Sequence, residues 1–536
     1  MNRSTLTCAL LVAMTATAMA QGSDDQALLA LHKEFQDLKA RIKDGVPDYT
    51  PKSIEARRLK LVALRRRLDA MNPSNWPVAE QVDYRLVRAQ MDAMDFEHRV
   101  LRPWSRDPGF YVDLLRVAAY TRLPVPAEKL EEFRAQLQAV PGMVRQATGN
   151  LGGDTKGSNL PNVATELARS AIRNLTRHDG VGHEQPELPV PPEGVLGFYK
   201  LLAESMPKHH PQLADDARTA YEGVNYLTAW LESNLKGMKG KAGIGRANYN
   251  WYLKHVRLMP FTAEDVKMAG DRDLGRTLAA LALERNRNRN LPELKPAASA
   301  EEYANRIRLA DQHVRRFIRE HAFLTLPENT AEFDNNVPWI ARKSGRRNFW
   351  EEVQYRDPRP DKVHAGIPGH RFDLWLHERD KRPIRGAYTD SGRIEGWGFY
   401  LEEAMMTAGL LDDLPRTREL FYIFAAARAV RNRAELHMHT GEWNVEQAIA
   451  YMVKNVPYMD EDVARVDCEI YLRQPTYGIS YQMGKVEIER LLAERMRQLG
   501  DKFRLGEFHD QFLAAGTIPV SLIRWEMTGM DLQLPK

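Results

Sequence analysis

The chain has 536 residues, a formal net charge of +4 and 28% charged residues. This length exceeds what one hydrophobic core usually serves, so it predicts two or more cooperating subdomains, and a hydrophobic content of 43% excludes a fibrous or disordered chain. Because the charge is small for this length and no basic run alternates with aromatic residues, the sequence predicts no nucleic-acid partner.

The first twenty residues have the pattern of a secretory signal peptide. Arg3 supplies a positive charge, an apolar stretch runs from Leu6 to Ala18, and a small-residue pattern ends at Ala20, where we expect cleavage. A membrane anchor is the alternative, but the apolar stretch is shorter than the roughly 20 residues that a spanning helix needs. The sequence therefore predicts a periplasmic or secreted protein without a membrane span after cleavage.

The cysteine content excludes an internal disulfide. Cleavage would remove Cys8 and leave Cys468 as the only cysteine, so stability must come from the core even in an oxidising compartment. The sequence also lacks a Gly-x-Ser-x-Gly elbow, a Gly-x-x-x-x-Gly-Lys phosphate loop and a dinucleotide fingerprint. The enzyme classes that depend on those motifs therefore have no support.

From Asp24 to about Leu101 the apolar residues recur at the spacing of amphipathic helices. Residues 27–35 and 59–68 repeat apolar side chains every three or four positions. Alternating patterns typical of strands are scarce throughout the chain. The sequence therefore predicts an all-α fold.

Breaks rich in Pro and Gly divide the rest of the chain. They lie at residues 149–161, 178–193 and 288–300. We predict a signal peptide at residues 1–20, a helical N-terminal and middle region at residues 21–300, and a C-terminal helical region at residues 301–536 that contains a candidate metal site. The sequence makes no prediction of oligomeric state.

The candidate metal site begins with two histidines, His364 and His370. Together with Glu395 they form a ligand set that suits Zn²⁺, which binds neutral imidazole and carboxylate oxygen in tetrahedral geometry. On a regular helix six residues advance by about 600°, which leaves the two histidine side chains roughly 120° apart. Pro368 also lacks the backbone N–H of a helix interior, so a break at Pro368–Gly369 must re-aim one histidine.

Glu395 belongs to a second predicted helix. Glu402 follows it one heptad later on the same face, and a buried face with two carboxylates requires a cation or strong hydrogen-bond donors. The alternative is chance, since a chain with 15 histidines will place two of them near each other without any metal.

These motifs resemble those of a known family. His-Ala-Gly-Ile-Pro-Gly-His, followed by Glu-Gly-Trp, is similar to the pattern of the domain of unknown function 885 family, whose members resemble gluzincin-type metallopeptidases and carry His-Glu-x-x-Pro-Gly-His. Segments 431–443, 481–485 and 508–519 also resemble the family, and together the matches cover most of residues 340–530. The resemblance implies a large multi-helix, zincin-like fold in which His364, His370 and Glu395 hold zinc. It also implies that the protein acts on a peptide or small amide substrate.

The chain departs from that pattern at Ala365. The family places a Glu there, where it can activate water as a general base. Losing a positioned general base costs about 10²–10⁴ in rate. Either another carboxylate replaces the missing base, or hydrolysis is slow or absent.

Four carboxylates are candidates for the missing base: Glu402, Glu403, Asp373 and Glu435. Glu402 is the first choice because it shares a helix face with Glu395. The alternative for Glu402 is a supporting contact to a metal ligand or a surface charge, and Asp373 could similarly orient His370.

Other side chains of the C-terminal region have two open interpretations. Tyr481 is a candidate donor to a developing oxyanion, or a packed aromatic residue. His377 is more typical of a partly buried polar residue than of a fourth ligand. His439 and His509 could contact substrate or cap helices.

The sequence thus favours an exported zinc-dependent peptidase or amide hydrolase, with His364, His370 and Glu395 as metal ligands and Glu402 and Tyr481 as catalytic candidates. A catalytically degenerate relative is the alternative, which would bind a peptide or envelope component without hydrolysis. A third hypothesis is a helical envelope protein without a metal. The family supports the first by analogy, whereas the residues themselves argue only for the site.

Overall fold

A computed structural model describes residues 26–39, 42–43, 46–152, 160–177, 179–182, 192–333, 335–342 and 345–530. The predicted signal peptide lies outside the described residues. Helices make up 73% of the chain, which confirms the all-α prediction. In the part of the chain that the structure describes, no helix combines the length and apolar character needed to cross a membrane.

The helices of the N-terminal and middle parts are α1 (26–39), α2 (Pro51–Asp69), α3 (Val78–Phe96), α4 (Pro103–Arg106), α5 (Pro108–Ala119), α6 (Leu130–Gly152), α7 (Thr165–Thr176), α8 (Gly194–His209), α9 (Ala214–Asn234), α10 (Arg246–His255) and α11 (Ala263–Arg287). The long helices predicted before residue 101 are confirmed by α1 to α3. Two small sheets accompany the helices: β1 (Ile42–Lys43) is antiparallel to β2 (Val46–Pro47), and β3 (Leu160–Ala164) is parallel to β4 (Met238–Gly240).

The C-terminal helices are α12 (Ala300–Glu320), α13 (Phe349–Gln354), α14 (Arg359–Asp361), α15 (His370–His377), α16 (Ser391–Thr407), α17 (Pro415–Thr440), α18 (Val445–Asn455), α19 (Glu461–Arg473), α20 (Tyr477–Leu499), α21 (Leu505–Ala514) and α22 (Val520–Thr528). The predicted break at residues 288–300 separates α11 from α12. The two earlier breaks fall partly outside the described residues.

The apolar cores do not follow the chain order. Helices α5 to α9 surround one core, whereas α1 to α3 share the largest core with α15, α16, α21 and α22. Another cluster joins Phe96 of α3 to Leu436 of α17 and Met483 of α20. Apolar packing therefore crosses the predicted boundary at residue 300. The division of the chain into two helical regions stays a prediction.

Helices α16 and α20 start at defined positions because buried carboxylates cap them. The Asp390 side chain accepts a hydrogen bond from the Arg393 N–H at 2.8 Å at the start of α16. At the start of α20, the Glu435 carboxylate accepts hydrogen bonds from the backbone N–H groups of Thr476 and Ile479, where the helix dipole favours negative charge.

Arg257 links these two helix starts. Its guanidinium lies 3.3 Å from Asp390 and donates to the Thr476 hydroxyl at 2.8 Å. One side chain thereby fixes the beginning of α16 relative to the beginning of α20.

Two glycines let α16 and α20 cross closely. A Cβ added at Gly396 would lie 2.6 Å from the Gly484 backbone, and a Cβ added at Gly484 would lie 1.9 Å from the Gly392 carbonyl oxygen. The backbones therefore approach each other without intervening side chains, which brings the side chains on either side of the crossing together.

We expect Gly484→Ala to lower the free energy of unfolding by about 1–3 kcal/mol or more, because overpacking must push the two backbones apart. Chemical denaturation measures the change. Gly275→Ala on α11 is the matched control, since an added Cβ there meets nothing within 4 Å and alanine stabilises an exposed helix by about 0.5–1 kcal/mol. A Gly484→Ala protein as stable as this control would contradict the close crossing.

Candidate metal centre

His364 and His370 lie on different helical segments. Residues Lys362–Gly366 form a π-helical turn, closed by a 2.8 Å hydrogen bond from the Ile367 N–H to the Lys362 carbonyl, and α15 then starts at His370. At Gly369 an added Cβ would lie 1.9 Å from the His364 carbonyl oxygen, so only glycine fits this reversal. The break predicted from the spacing is present, and it aims both imidazoles to the same side.

The third member of the cluster comes from α16. Glu395 Oε2 lies 3.0 Å from His370 Nε2 and 3.5 Å from His364 Nε2. One ligand atom from each of the three residues lies within 4.8 Å of the other two. The structure thus brings together the three residues that the sequence nominated.

Among the described residues, no Lys or Arg lies within ion-pair distance of the buried Glu395 carboxylate, although the Arg431 guanidinium is near enough to interact with it electrostatically. Glu395 is only 7% exposed, and in the described part of the chain its ion-pair partners are the two histidines. Burial acts to raise the pKa of Glu395, but the neighbouring imidazoles outweigh it and hold the pKa well below its usual value. A carboxylate oxygen beside two imidazole nitrogens is the donor chemistry that a zinc ion requires.

The pKa of His364 is consistent with this charge distribution. Burial and the Arg428 charge act to lower it, but the nearby carboxylates of Glu395 and Glu402 raise it overall. Two carboxylates therefore flank one imidazole ring. Two imidazole nitrogens and one carboxylate oxygen are the protein ligands of a catalytic zinc site that keeps its fourth position open, so this donor set fits zinc.

Tyr477 supports Glu395 and was not identified in the sequence. Its hydroxyl donates to Glu395 Oε1 at 2.7 Å, which leaves Oε2 directed at the imidazoles. The available signal was the spacing of Tyr477 and Tyr481, which lie four residues apart on one face of α20.

Glu402 contacts His364 from the side opposite Glu395. Its Oε1 lies 2.8 Å from His364 Nδ1 and 3.0 Å from the Arg428 guanidinium. The alternatives to a catalytic role for Glu402 were a contact that supports a metal ligand and a surface charge. These buried contacts agree with the first of the two. Its assignment as the catalytic base stays a prediction.

The other candidate bases are engaged elsewhere. Glu403 pairs with Arg276 and Lys485, which hold the pKa of Glu403 at about 2 although burial acts to raise it. Asp373 makes a two-point contact with Arg393, at 2.8 and 3.0 Å, and so is committed to that guanidinium.

Glu435 caps α20 and also accepts a hydrogen bond from the Tyr249 hydroxyl at 2.9 Å. Burial raises the pKa of Glu435 to about 7. These contacts give Glu435 a structural role: it holds the start of α20, the helix that contains Tyr477 and Tyr481.

Tyr481 lies beside the cluster. Its ring is nearly parallel to that of His364, with 6.0 Å between centroids, and the Arg431 guanidinium lies 4.3 Å from the centroid of the Tyr481 ring. Burial raises the pKa of Tyr481 well above its usual value, so the phenol keeps its proton. Its predicted role as an oxyanion donor stays a prediction.

The three other candidate histidines, His377, His439 and His509, have partners away from the cluster. His377 Nδ1 lies 3.1 Å from the Thr517 hydroxyl, and His439 Nε2 donates to a backbone carbonyl at 3.0 Å. His509 lies between the Tyr400 hydroxyl and the Phe323 carbonyl, at 2.9 and 2.6 Å. Burial lowers the pKa of both His439 and His509 to about 4, so they act as neutral packed groups.

Gly398 makes room for the two imidazoles. A Cβ added there would lie 2.8 Å from His364 Cε1 and 2.9 Å from His370 Cε1. We expect Gly398→Ala to weaken zinc binding by about tenfold or more while α16 stays helical, because alanine favours a helix by about 1 kcal/mol over glycine and the clash falls on the ligands. Isothermal titration with zinc, together with circular dichroism, measures both effects. Unchanged zinc affinity in a folded Gly398→Ala protein would contradict this geometry.

Two solved structures have a similar fold. One is described as "a putative lipoprotein of unknown function" from Shewanella oneidensis; it is 16% identical, with a TM-score of 0.71 over 94% of this chain and 99% of that chain. The other is described as "the putative lipoprotein" from Colwellia psychrerythraea; it is 15% identical, with a TM-score of 0.72 over 95% of this chain and 99% of that chain. At these identities the likeness shows the fold alone. No curated protein matches the chain in sequence.

The sequence also matches a family model. The model is described as "Bacterial protein of unknown function (DUF885)" and matches residues 33–336 and 362–527. The second range contains the whole His-His-Glu cluster, and the family predicted from the motifs is confirmed. Because the two ranges cover most of the chain, this protein belongs to the DUF885 family of bacterial proteins.

Proposed function

We propose that this protein is an exported zinc-dependent hydrolase of peptide or amide bonds, with His364, His370 and Glu395 as the metal ligands. The observation that carries the proposal is that ligand atoms of two imidazoles and one buried carboxylate converge within 4.8 Å of one another. This donor set and its spacing suit a divalent cation such as zinc.

Export is part of the proposal. The signal-peptide pattern at residues 1–20 supports it, and so do the two structural neighbours, both described as putative lipoproteins.

A zinc ion held here would supply Lewis-acid chemistry, polarising a substrate carbonyl and lowering the pKa of water. Protein residues would position the Glu395 ligand and stabilise the developing oxyanion. Tyr477 fixes the Glu395 carboxylate through Oε1, and Tyr481 would donate a hydrogen bond to the carbonyl oxygen as negative charge develops. Ala365 cannot accept a proton, so we expect turnover to be slow.

The second candidate function is binding of a peptide or envelope component without hydrolysis. Two observations favour it: Ala365 stands where the resembled family carries the base, and Glu402 already contacts His364 and Arg428. Only the hydrolase requires the metal, since a binding protein needs the fold with or without the metal. Turnover of a peptide is therefore the measurement that separates the two functions.

The test is metal analysis of protein purified without chelators, combined with a fluorogenic peptide library. We expect one zinc per chain and slow, chelator-sensitive cleavage that His364→Ala abolishes. His377→Ala is the matched control, because His377 contacts Thr517 instead of the cluster. Absence of bound zinc would overturn the proposal, whereas zinc without turnover would favour the binding function.

A further inference from the structure

One face of α16 surrounds the His364 ring. Glu395, Gly398 and Glu402 follow at intervals of three and four residues, which place them on the same side of the helix. Glu395 Oε2 lies 3.5 Å from His364 Nε2 and Glu402 Oε1 lies 2.8 Å from His364 Nδ1, and a Cβ added at Gly398 would lie 2.8 Å from both Nδ1 and Cε1 of this ring. Each ring nitrogen thus faces its own carboxylate.

The two carboxylates have different surroundings. Glu395 has only the imidazoles as ion-pair partners in the described part of the chain, whereas Glu402 has a fixed cation in Arg428, 3.0 Å away. Both Glu402 and Arg428 are nearly inaccessible, at 2% and 3% exposure. Arg428 is itself held by the Phe424 ring, 4.9 Å from its guanidinium, and by the Phe424 carbonyl.

Because of this difference, Nδ1 and Nε2 of His364 have separate roles. A neutral imidazole has one N–H donor and one acceptor nitrogen, and a carboxylate at Nδ1 selects the tautomer with the proton on Nδ1. Nε2 then presents its lone pair toward Glu395 Oε2 and His370. Metal-binding histidines commonly donate their other N–H to a carboxylate in this way, which fixes the ring and increases ligand basicity.

We propose that Glu402, held in place by Arg428, is a positioning residue that sets the tautomer and orientation of His364 for metal binding. This inference rests on the proposed zinc site and changes the expected role of Glu402 from base to support. It also gives a role to the buried Arg428–Glu402 pair beside the cluster, since an apolar pair of similar volume would often be at least as stable.

The experiment compares Glu402→Gln with Glu403→Gln. The two positions are adjacent on α16, but Glu403 pairs with Arg276 and Lys485 and so controls for the loss of an ion-paired carboxylate. We expect Glu402→Gln to weaken zinc binding by about 10–100-fold in a chelator competition assay, and Glu403→Gln to change it by less than about twofold. In the zinc-bound protein, the ¹⁵N signal of His364 Nδ1 should shift in Glu402→Gln and stay unchanged in Glu403→Gln.

A wild-type protein that binds zinc, with Glu402→Gln binding it equally well, would overturn the inference and leave the proposed function intact. A wild-type protein that binds no zinc would overturn both. If Glu402→Gln does not fold, Glu402→Asp serves instead: it keeps a negative charge in this buried region, but the shorter side chain withdraws the oxygen that contacts both His364 Nδ1 and Arg428. We expect it also to weaken zinc binding, and unchanged affinity in Glu402→Asp would count against the inference.

Discussion

Replacing His364 by alanine is expected to weaken zinc binding at least about 100-fold. Structural zinc sites with four protein ligands contribute roughly 10–16 kcal/mol, which averages about 3 kcal/mol for each ligand, and each 1.4 kcal/mol changes an affinity tenfold. His364 lies between two carboxylates, so its loss also leaves the Arg428–Glu402 pair without its imidazole partner. Competition with a fluorescent chelator measures the affinity directly.

His377→Ala is the matched control for this loss. It removes a histidine from the neighbouring helix α15 that contacts Thr517, and zinc affinity should stay within about twofold of wild type. Equal zinc affinity in His364→Ala and in wild type would show that any bound zinc lies elsewhere.

The second large effect concerns the residue after His364. Ala365→Glu is expected to increase the turnover of a cleaved peptide by about 10²–10⁴, because it restores a general base at the position where the resembled family carries one. Ala365 is buried, so the larger side chain is expected to cost about 1–3 kcal/mol of stability. Rates should therefore be compared per folded, zinc-loaded molecule.

Ala365→Gln is the control, since it has the same size and cannot accept the proton. If Ala365→Glu and Ala365→Gln both bind zinc and cleave the peptide at the same rate as wild type, the missing base does not limit this protein. That outcome would contradict the prediction that the residue after His364 determines the rate of hydrolysis.

The sequence predicted the parts of this site that local patterns determine. The mismatch between a six-residue histidine spacing and the helical repeat required a break, and a π-helical turn followed by the close approach at Gly369 supplies it. The helical period also placed Glu395 and Glu402 on one face of α16. Both predictions needed only the geometry of a single segment.

The rest of the site depends on contacts between segments that are distant in the chain. Tyr477 reaches Glu395 because α16 and α20 cross at Gly396 and Gly484, and no local pattern encodes that crossing. The partner of Glu402 is Arg428, on a different helix. The sequence could place Glu402 on the correct face but could not say whether it would meet substrate or His364.

The domain prediction had the same limitation. A loop does separate α11 from α12, as the sequence indicated, yet Asn432 of α17 donates a hydrogen bond to the Val266 carbonyl of α11 at 3.2 Å. Pro- and Gly-rich breaks mark where helices end, but tertiary packing decides which helices share a core.

The most direct test of the metal site is anomalous diffraction at the zinc edge from crystals of the purified protein. We predict one strong peak about 2.0–2.2 Å from the ligand nitrogens of His364 and His370 and from Glu395 Oε2. A zinc peak away from these three atoms, or no peak in protein saturated with zinc, would contradict the account.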